Sequence, residues 1–335
     1  MSAFTNSGYH QSQDHQVTFL ESIRNQFLTA EDGLERIGHV LRVEKSALYN
    51  RLSGKKRLSV DEVLLLSRHF GVAYPGITTL ELPPGTVSVS LPALAGQPHS
   101  GLDYLAPLLS QLHRLRQLPL VILHYITAEI PLFDYLHYPS LASFKFYVWR
   151  YFTWGDKGRN GKPHPFQTII PSTEESEMYA RVRAGYDGLP STEVWHVNIL
   201  DNTLNPMVYL ESVGLISRSD VKGLLDQVDQ LLERVNLRAE RGHKSDQVTF
   251  ELYLNEVNHT NNLVIVEAGD QSAVFFAYDN PNLCQSQDPA LVAYTREAFH
   301  RFVRNCTSLS HGSDRQRKQF FNQLHNRVEQ VRLKM

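Results

Sequence analysis

Between positions 34 and 71 the chain reads LERIGHVLRVEKSALYNRLSGKKRLSVDEVLLLSRHFG, where apolar residues recur at helical intervals in runs too short for one long helix. Leu34, Ile37 and Leu41 share a stripe, Val43 follows, and Leu48 and Leu52 repeat four apart. The spacing predicts two short helices whose angle is set by these side chains, then a third carrying Val60, Val63, Leu64, Leu66 and Phe70. Gly54 and Gly71 stop the second and third helices. Ser59 with Glu62 three residues later has the pattern of a capping box.

The outward face of the second helix carries Lys45, Ser46, Tyr49 and Asn50, of which Ser46 and Asn50 suit hydrogen bonds to base edges or phosphates. Lys55, Lys56 and Arg57 follow directly, so positions 42–57 hold six Lys or Arg against one Glu. This pattern places Lys45, Ser46, Tyr49 and Asn50 in the major groove of duplex DNA, with Arg42, Arg51, Lys55, Lys56 and Arg57 on or near phosphates. Three-helix bundles with a basic loop also occur without any nucleic-acid partner. Helix lengths, turn position and the Gly-basic-Ser-acid order favour the DNA reading here.

The stretch resembles the Cro/C1-type (XRE-like) helix-turn-helix domain, unbroken from the turn through GKKRLSVDEVLLLSRHFGV. The resemblance covers roughly residues 17–74, with VTFLESIRNQFL as the preceding helix. Gly38 matches a position where the family has a small residue. Arg42 stands where it usually has glycine, so a slightly rearranged turn is expected. The resemblance implies a bacterial transcriptional regulator.

At 335 residues the chain is long enough for two or three cores. Its formal net charge of -2 excludes a polycation, so DNA affinity has to come from local basic faces. Two such faces are visible: positions 42–57, and positions 301–334 with eight Lys or Arg against two acids. Cys284 and Cys306 have no zinc spacing and no disulfide framework, which fits a reducing cytoplasm. No leader and no bilayer-length apolar run is read, so no membrane partner is expected. Residues 1–16 are polar and read as a disordered tail.

Beyond a boundary near Pro75, residues 75–101 read as a linker with one short strand at 86–91. A helix follows at 102–118, with Leu102, Leu105, Leu109, Leu112 and Leu115 on a stripe that intrachain burial and pairing with a second copy would write alike. Residues 119–128 read as a buried strand, and 131–154 hold ten aromatic residues in twenty-four. Phe144, Tyr147 and Trp149 are candidates for a ligand pocket, although ordinary core packing is the stronger reading. This segment also resembles the region after the helix-turn-helix in regulators of the Bacteroidetes type. GDKGRNGKP at 155–163 lacks P-loop spacing and reads as a solvated turn.

Residues 191–335 read as α+β, with a strand in VWHVNIL, a long helix from Ser217 or Ser219 to Gly242, strands near 248–257, 263–267 and 272–278, and helices at 289–305 and 314–333. No HExxH pair, Cys-His cluster, G-x-S-x-G elbow or H-x-K-x-x-x-x-D element is present, so no metal, cofactor or catalysis is expected. The residual acid-base candidates are His196 and His243. The expectation is a multidomain protein, an all-α helix-turn-helix domain at 17–74 followed by an α+β region at 102–335, perhaps divided near 190. It is expected to bind double-stranded DNA as a homodimer and to take a small-molecule or nucleotide effector. The rival readings are a nucleotide- or phosphodiester-acting enzyme with an accessory reader, and a protein-interaction module on the same fold.

Overall fold

A computed structural model describes residues 7–335 except positions 28, 73, 75–85, 156–163, 168–170, 246, 258–260, 270 and 311, with side chains described from His15 onward. The chain forms two compact units, Met1–Ala95 and Gly96–Met335.

Four helices build the first unit: α1 Ser7–Arg24, α2 Ala30–Leu41, α3 Lys45–Leu52 and α4 Val60–Phe70. Phe19, Leu20 and Ile23 of α1 meet Leu34, Ile37, Leu48 and Leu66 in one core. Helix α1 starts at Ser7, so over 7–16 the polar run expected to be disordered is helical, and Gln16 near its end is buried; residues 1–6 lie outside the described residues. Thr29 caps α2 by accepting from the Asp32 N–H at 3.1 Å. At its other end Arg42 adopts φ 52°, ψ 44°, while the Arg42 and Val43 N–H groups close onto the His39 and Gly38 carbonyls. This is a Schellman turn with arginine at the left-handed position. The turn is therefore not rearranged; the arginine takes the glycine conformation. A Cβ on Gly38 would sit 3.3 Å from the Val43 carbonyl oxygen, so a small residue fits there. On α4 only Val63 and Leu66 are buried, whereas Val60 is 70% exposed and Leu64 also faces water.

No named strand lies at 86–91; a short 3-10 helix at Pro92–Ala95 follows instead. Helix α5, Gly101–Leu115, starts the second unit, and its Leu105, Leu109, Leu112 and Leu115 are buried in that unit's own core. The leucine stripe is thus used within the chain. Three parallel strands follow: β1 Ile122–Thr127, β2 Ser191–His196 and β3 Phe250–Asn255. The β1-to-β2 connection carries α6 Leu132–Tyr135, α7 Pro139–Phe152 and α8 Thr173–Asp187. The β2-to-β3 connection carries α9 Asp201–Ser212 and α10 Arg218–Arg241. The antiparallel strands β4 Leu263–Glu267, β5 Ala273–Asp279 and β6 Asn282–Ser286 extend the sheet beyond β1. After α11 Pro289–Val303, the two-residue β7 Thr307–Ser308 closes the opposite edge, and α12 Asp314–Lys334 ends the chain. The seven-stranded order is β6-β5-β4-β1-β2-β3-β7. Pairing of β1 directly with β2 rules out a division of this unit near 190.

Alternation along the strands separates two apolar layers. Leu123, Trp195, Phe250 and Leu252 face the large core, to which α10 contributes Val221, Leu224, Leu225, Val228, Leu231, Leu232 and Val235. Each such side chain contributes about 1.5–3 kcal/mol on burial. Ile126, Val194, Ile265 and Val274 face the other way, onto Val292 and Phe299 of α11. Among the described residues no helix is long and apolar enough to cross a membrane.

Candidate functional site

Polar side chains concentrate on both units. On the first, α3 buries Leu48 and thereby turns Lys45, Ser46, Tyr49 and Asn50 outward, with Tyr49 52% exposed. Arg42, Lys55, Lys56 and Arg57 are exposed beside them. Lys45 Nζ lies 2.8 Å from Glu31 Oε1, and this hydrogen bond raises the lysine's pKa and lowers the glutamate's. Both groups stand in water, where salt screens such a pair.

Arg51 is the exception, and its assignment to phosphates is corrected. The residue is 3% exposed, its guanidinium donating to the Ala47 carbonyl at 3.1 Å and to Glu62 Oε1 at 2.6 Å. Glu62 also completes the predicted capping box: its second oxygen accepts from the Ser59 N–H at 2.9 Å, while its own N–H donates to Ser59 Oγ at 3.1 Å. Burial pushes the Glu62 carboxyl up, but the Arg51 hydrogen bond, the Ser59 N–H and the nearby positive charge outweigh it and hold it below its ordinary value. One carboxylate therefore fixes α3 to the start of α4. The basic loop is fixed from the other side by Gln16, whose Nε2 donates to the Arg51 and Lys56 carbonyls at 2.7 and 2.8 Å and whose Oε1 accepts from the Leu58 N–H at 2.9 Å.

The second basic face, 301–334, is partly neutralised within the chain. Arg317 is buried against Asp314 and Glu240; Arg327 pairs with Asp201; Arg332 spans Asp226, Asp229 and Glu329. These partners lie mostly on α9 and α10, outside the local sequence window.

In the second unit the three aromatic candidates do not converge. Phe144 is 2% exposed and meets Phe166 edge-on at 5.4 Å, and Tyr147 packs on the same ring while its hydroxyl donates to the His164 carbonyl. These two are core. Only Trp149 borders a cavity of about 40 Å³, which opens beyond the end of β1. Glu129 and Lys145, both nearly fully buried, pair there at 2.7 Å. Asn262 and Asn280 donate to the other Glu129 oxygen at 2.8 and 2.6 Å, and Thr127 and the Ala128 N–H hold Asn262 Oδ1. Burial alone would depress the Lys145 ammonium, but the Tyr135 and Glu129 oxygens outweigh it and hold its pKa above the ordinary value. The only local signal for this cluster is Lys145 itself, a charge inside the apolar run LASFKFYVW.

A separate buried network lies among α6, α8 and α10, where Arg238 bonds Asp134 and faces Asp187. His137 beside it is pushed down to about 3, by burial first and then by the Arg234, Arg183 and Arg238 charges. Its 3.7 Å contact with Asp187 is consequently not an ion pair at neutral pH. His196 is buried with Nδ1 accepting from the Asn198 N–H, and His243 is exposed. Residues 156–163 of the glycine-rich turn lie outside the described residues. No group of three metal-ligating side chains occurs among the described residues. No family model, curated protein or solved structure matches the chain.

Proposed function

We propose that the protein is a sequence-specific DNA-binding transcriptional regulator whose Met1–Ala95 unit is a helix-turn-helix reader. The observation that carries this reading is the exposed set Ser46, Tyr49 and Asn50 on α3, flanked by Arg42, Lys55, Lys56 and Arg57 and backed by a loop held to α1 through Gln16. Side chains of these types form base-edge contacts in the major groove, and the surrounding charges sit where a duplex backbone passes. Lys45 reaches the major groove by releasing Glu31.

One eight-residue helix reads few base pairs, so specificity calls for two half-sites about 34 Å apart and a homodimer. The Gly96–Met335 unit is the proposed seat of dimerisation and of effector binding. With its leucine stripe buried internally, the dimer rests on this geometric requirement alone. No catalysis, cofactor or membrane partner is proposed, and a cytoplasmic location follows from the role.

The test measures duplex binding by the full chain at two salt concentrations, on a selected site and on random sequence. Asn50→Ala should cost about 1–3 kcal/mol on the selected site only. Lys55→Ala or Lys56→Ala should weaken both alike and flatten the salt slope. Equal loss on both sequences for Asn50→Ala sinks the base-reading role. Absence of any salt-sensitive binding favours a protein-interaction module, and sedimentation as a monomer at micromolar concentration removes the two-half-site arrangement.

A further inference from the structure

The cavity beyond β1 lies where the strand order reverses: β2, on one side, follows β1 in sequence, while β4, on the other, returns antiparallel from across the sheet. In open sheets with helical crossovers, the space outside the carboxyl end of a strand at such a reversal is where ligands bind. Here that space is walled by Tyr104, Trp149, Pro281 and Leu283. Its 40 Å³ hold about three water-sized groups, the size of one small polar head group.

Charge and unused hydrogen-bonding capacity narrow the chemistry. Glu129 and Lys145 cancel each other, so the site is neutral as built, and a full negative charge entering it would meet the buried Glu129 carboxylate. Lys145 spends one N–H on Glu129; among the described residues its other two have no acceptor, and the ammonium lies 5.2 and 5.4 Å from the Tyr135 and Trp149 ring centres. Tyr125, which brings a hydroxyl donor, lines the same cavity. These are donors awaiting a neutral acceptor, with a carboxylate oxygen close by that can take an N–H in return.

We propose that this cavity binds a small neutral molecule through an amide-type O=C–N head, as found in a primary carboxamide, a lactam or a cyclic imide. The carbonyl oxygen takes hydrogen bonds from Lys145 and Tyr125, the N–H turns to Glu129, and the body of the molecule leaves past Trp149 and Leu283. The inference stands on the Gly96–Met335 unit alone and does not depend on DNA binding.

Benzamide, nicotinamide and uracil serve as probes, with benzoate as the charged match in shape, each added to the full-length protein. Melting temperature and tryptophan fluorescence report binding. At least one amide probe should raise the melting temperature and perturb Trp149 emission, while benzoate binds at least about ten-fold more weakly, equivalent to about 1.4 kcal/mol. Tyr125→Phe removes one oxygen and leaves the packing unchanged, and should weaken the amide about ten-fold; Leu283→Trp, which fills the mouth, should abolish binding. Equal affinity for benzoate, indifference to both substitutions, or no response to any amide probe at about 10 mM overturns the proposal.

Discussion

In the Met1–Ala95 unit most charged side chains, those of α3 and its loop among them, stand in water, whereas in the Gly96–Met335 unit several are sunk in the core at the end of β1 and beneath α10. An exposed lysine such as Lys55 contributes almost nothing to folding and is free to meet a partner. A buried one such as Lys145 holds its place only while Glu129 faces it. Position in the fold, more than residue type, separates the charges that face water from those that organise the core. Arg51 marks the boundary, being a core residue within the Met1–Ala95 unit.

The largest effect expected from this contrast is in the second unit. Glu129→Ala strands the Lys145 ammonium and should destabilise that unit by about 3–5 kcal/mol in urea unfolding followed by near-ultraviolet dichroism. Replacing both residues by methionine should recover most of the loss. A single-mutant loss below about 1 kcal/mol would show the pair to be solvated. Next in size is Arg51→Ala, expected to cost the first unit about 3 kcal/mol through the uncompensated Glu62. DNA affinity should fall only in proportion to the unfolded fraction; a loss on fully folded protein would return Arg51 to the phosphates.

A smaller effect concerns acid. His137 is lowered from 6.5 to about 3, so the unfolded chain binds more protons throughout that interval. The stability this neutral histidine permits is complete above pH 6.5 and is lost as pH falls toward 3, by about 2 kcal/mol near pH 4 once partial solvent screening is allowed for. His137→Gln should flatten that slope, and an unchanged slope assigns the acid sensitivity elsewhere. The smallest effect is also the one that changes sign between readouts. Arg42→Gly relieves a left-handed residue and should stabilise the first unit by up to about 1 kcal/mol, yet weaken DNA binding on all sequences. If stability and affinity move together, Arg42 does not meet phosphate.

Elements were legible in the sequence where one local pattern sufficed. The stripe and end signals of α10, the capping box of α4 and the apolar runs of β4 and β5 all stand close to where the residues placed them. Helix α8 was missed because it presents few apolar residues, Tyr179, Val182 and Tyr186 among them, and α9 because Pro206 interrupts it. The same limit applies to the sites. The outward face of α3 is the complement of its own stripe, so it could be read locally. Arg51 was misplaced because its partner comes from another helix, and Asn262 and Asn280 reach Glu129 across more than a hundred residues.

Gln16 grips the basic loop only by its backbone, through two carbonyls and one N–H. This grip on the loop is therefore independent of which side chains Lys55 and Lys56 display. Those two lysines can be exchanged, reversed in charge or modified while Gln16 keeps its hold. Affinity for a polyanion can then drift, or be re-engineered, without the fold having to be solved again. A single amide on the first helix thus uncouples the chemistry of the exposed loop surface from its shape.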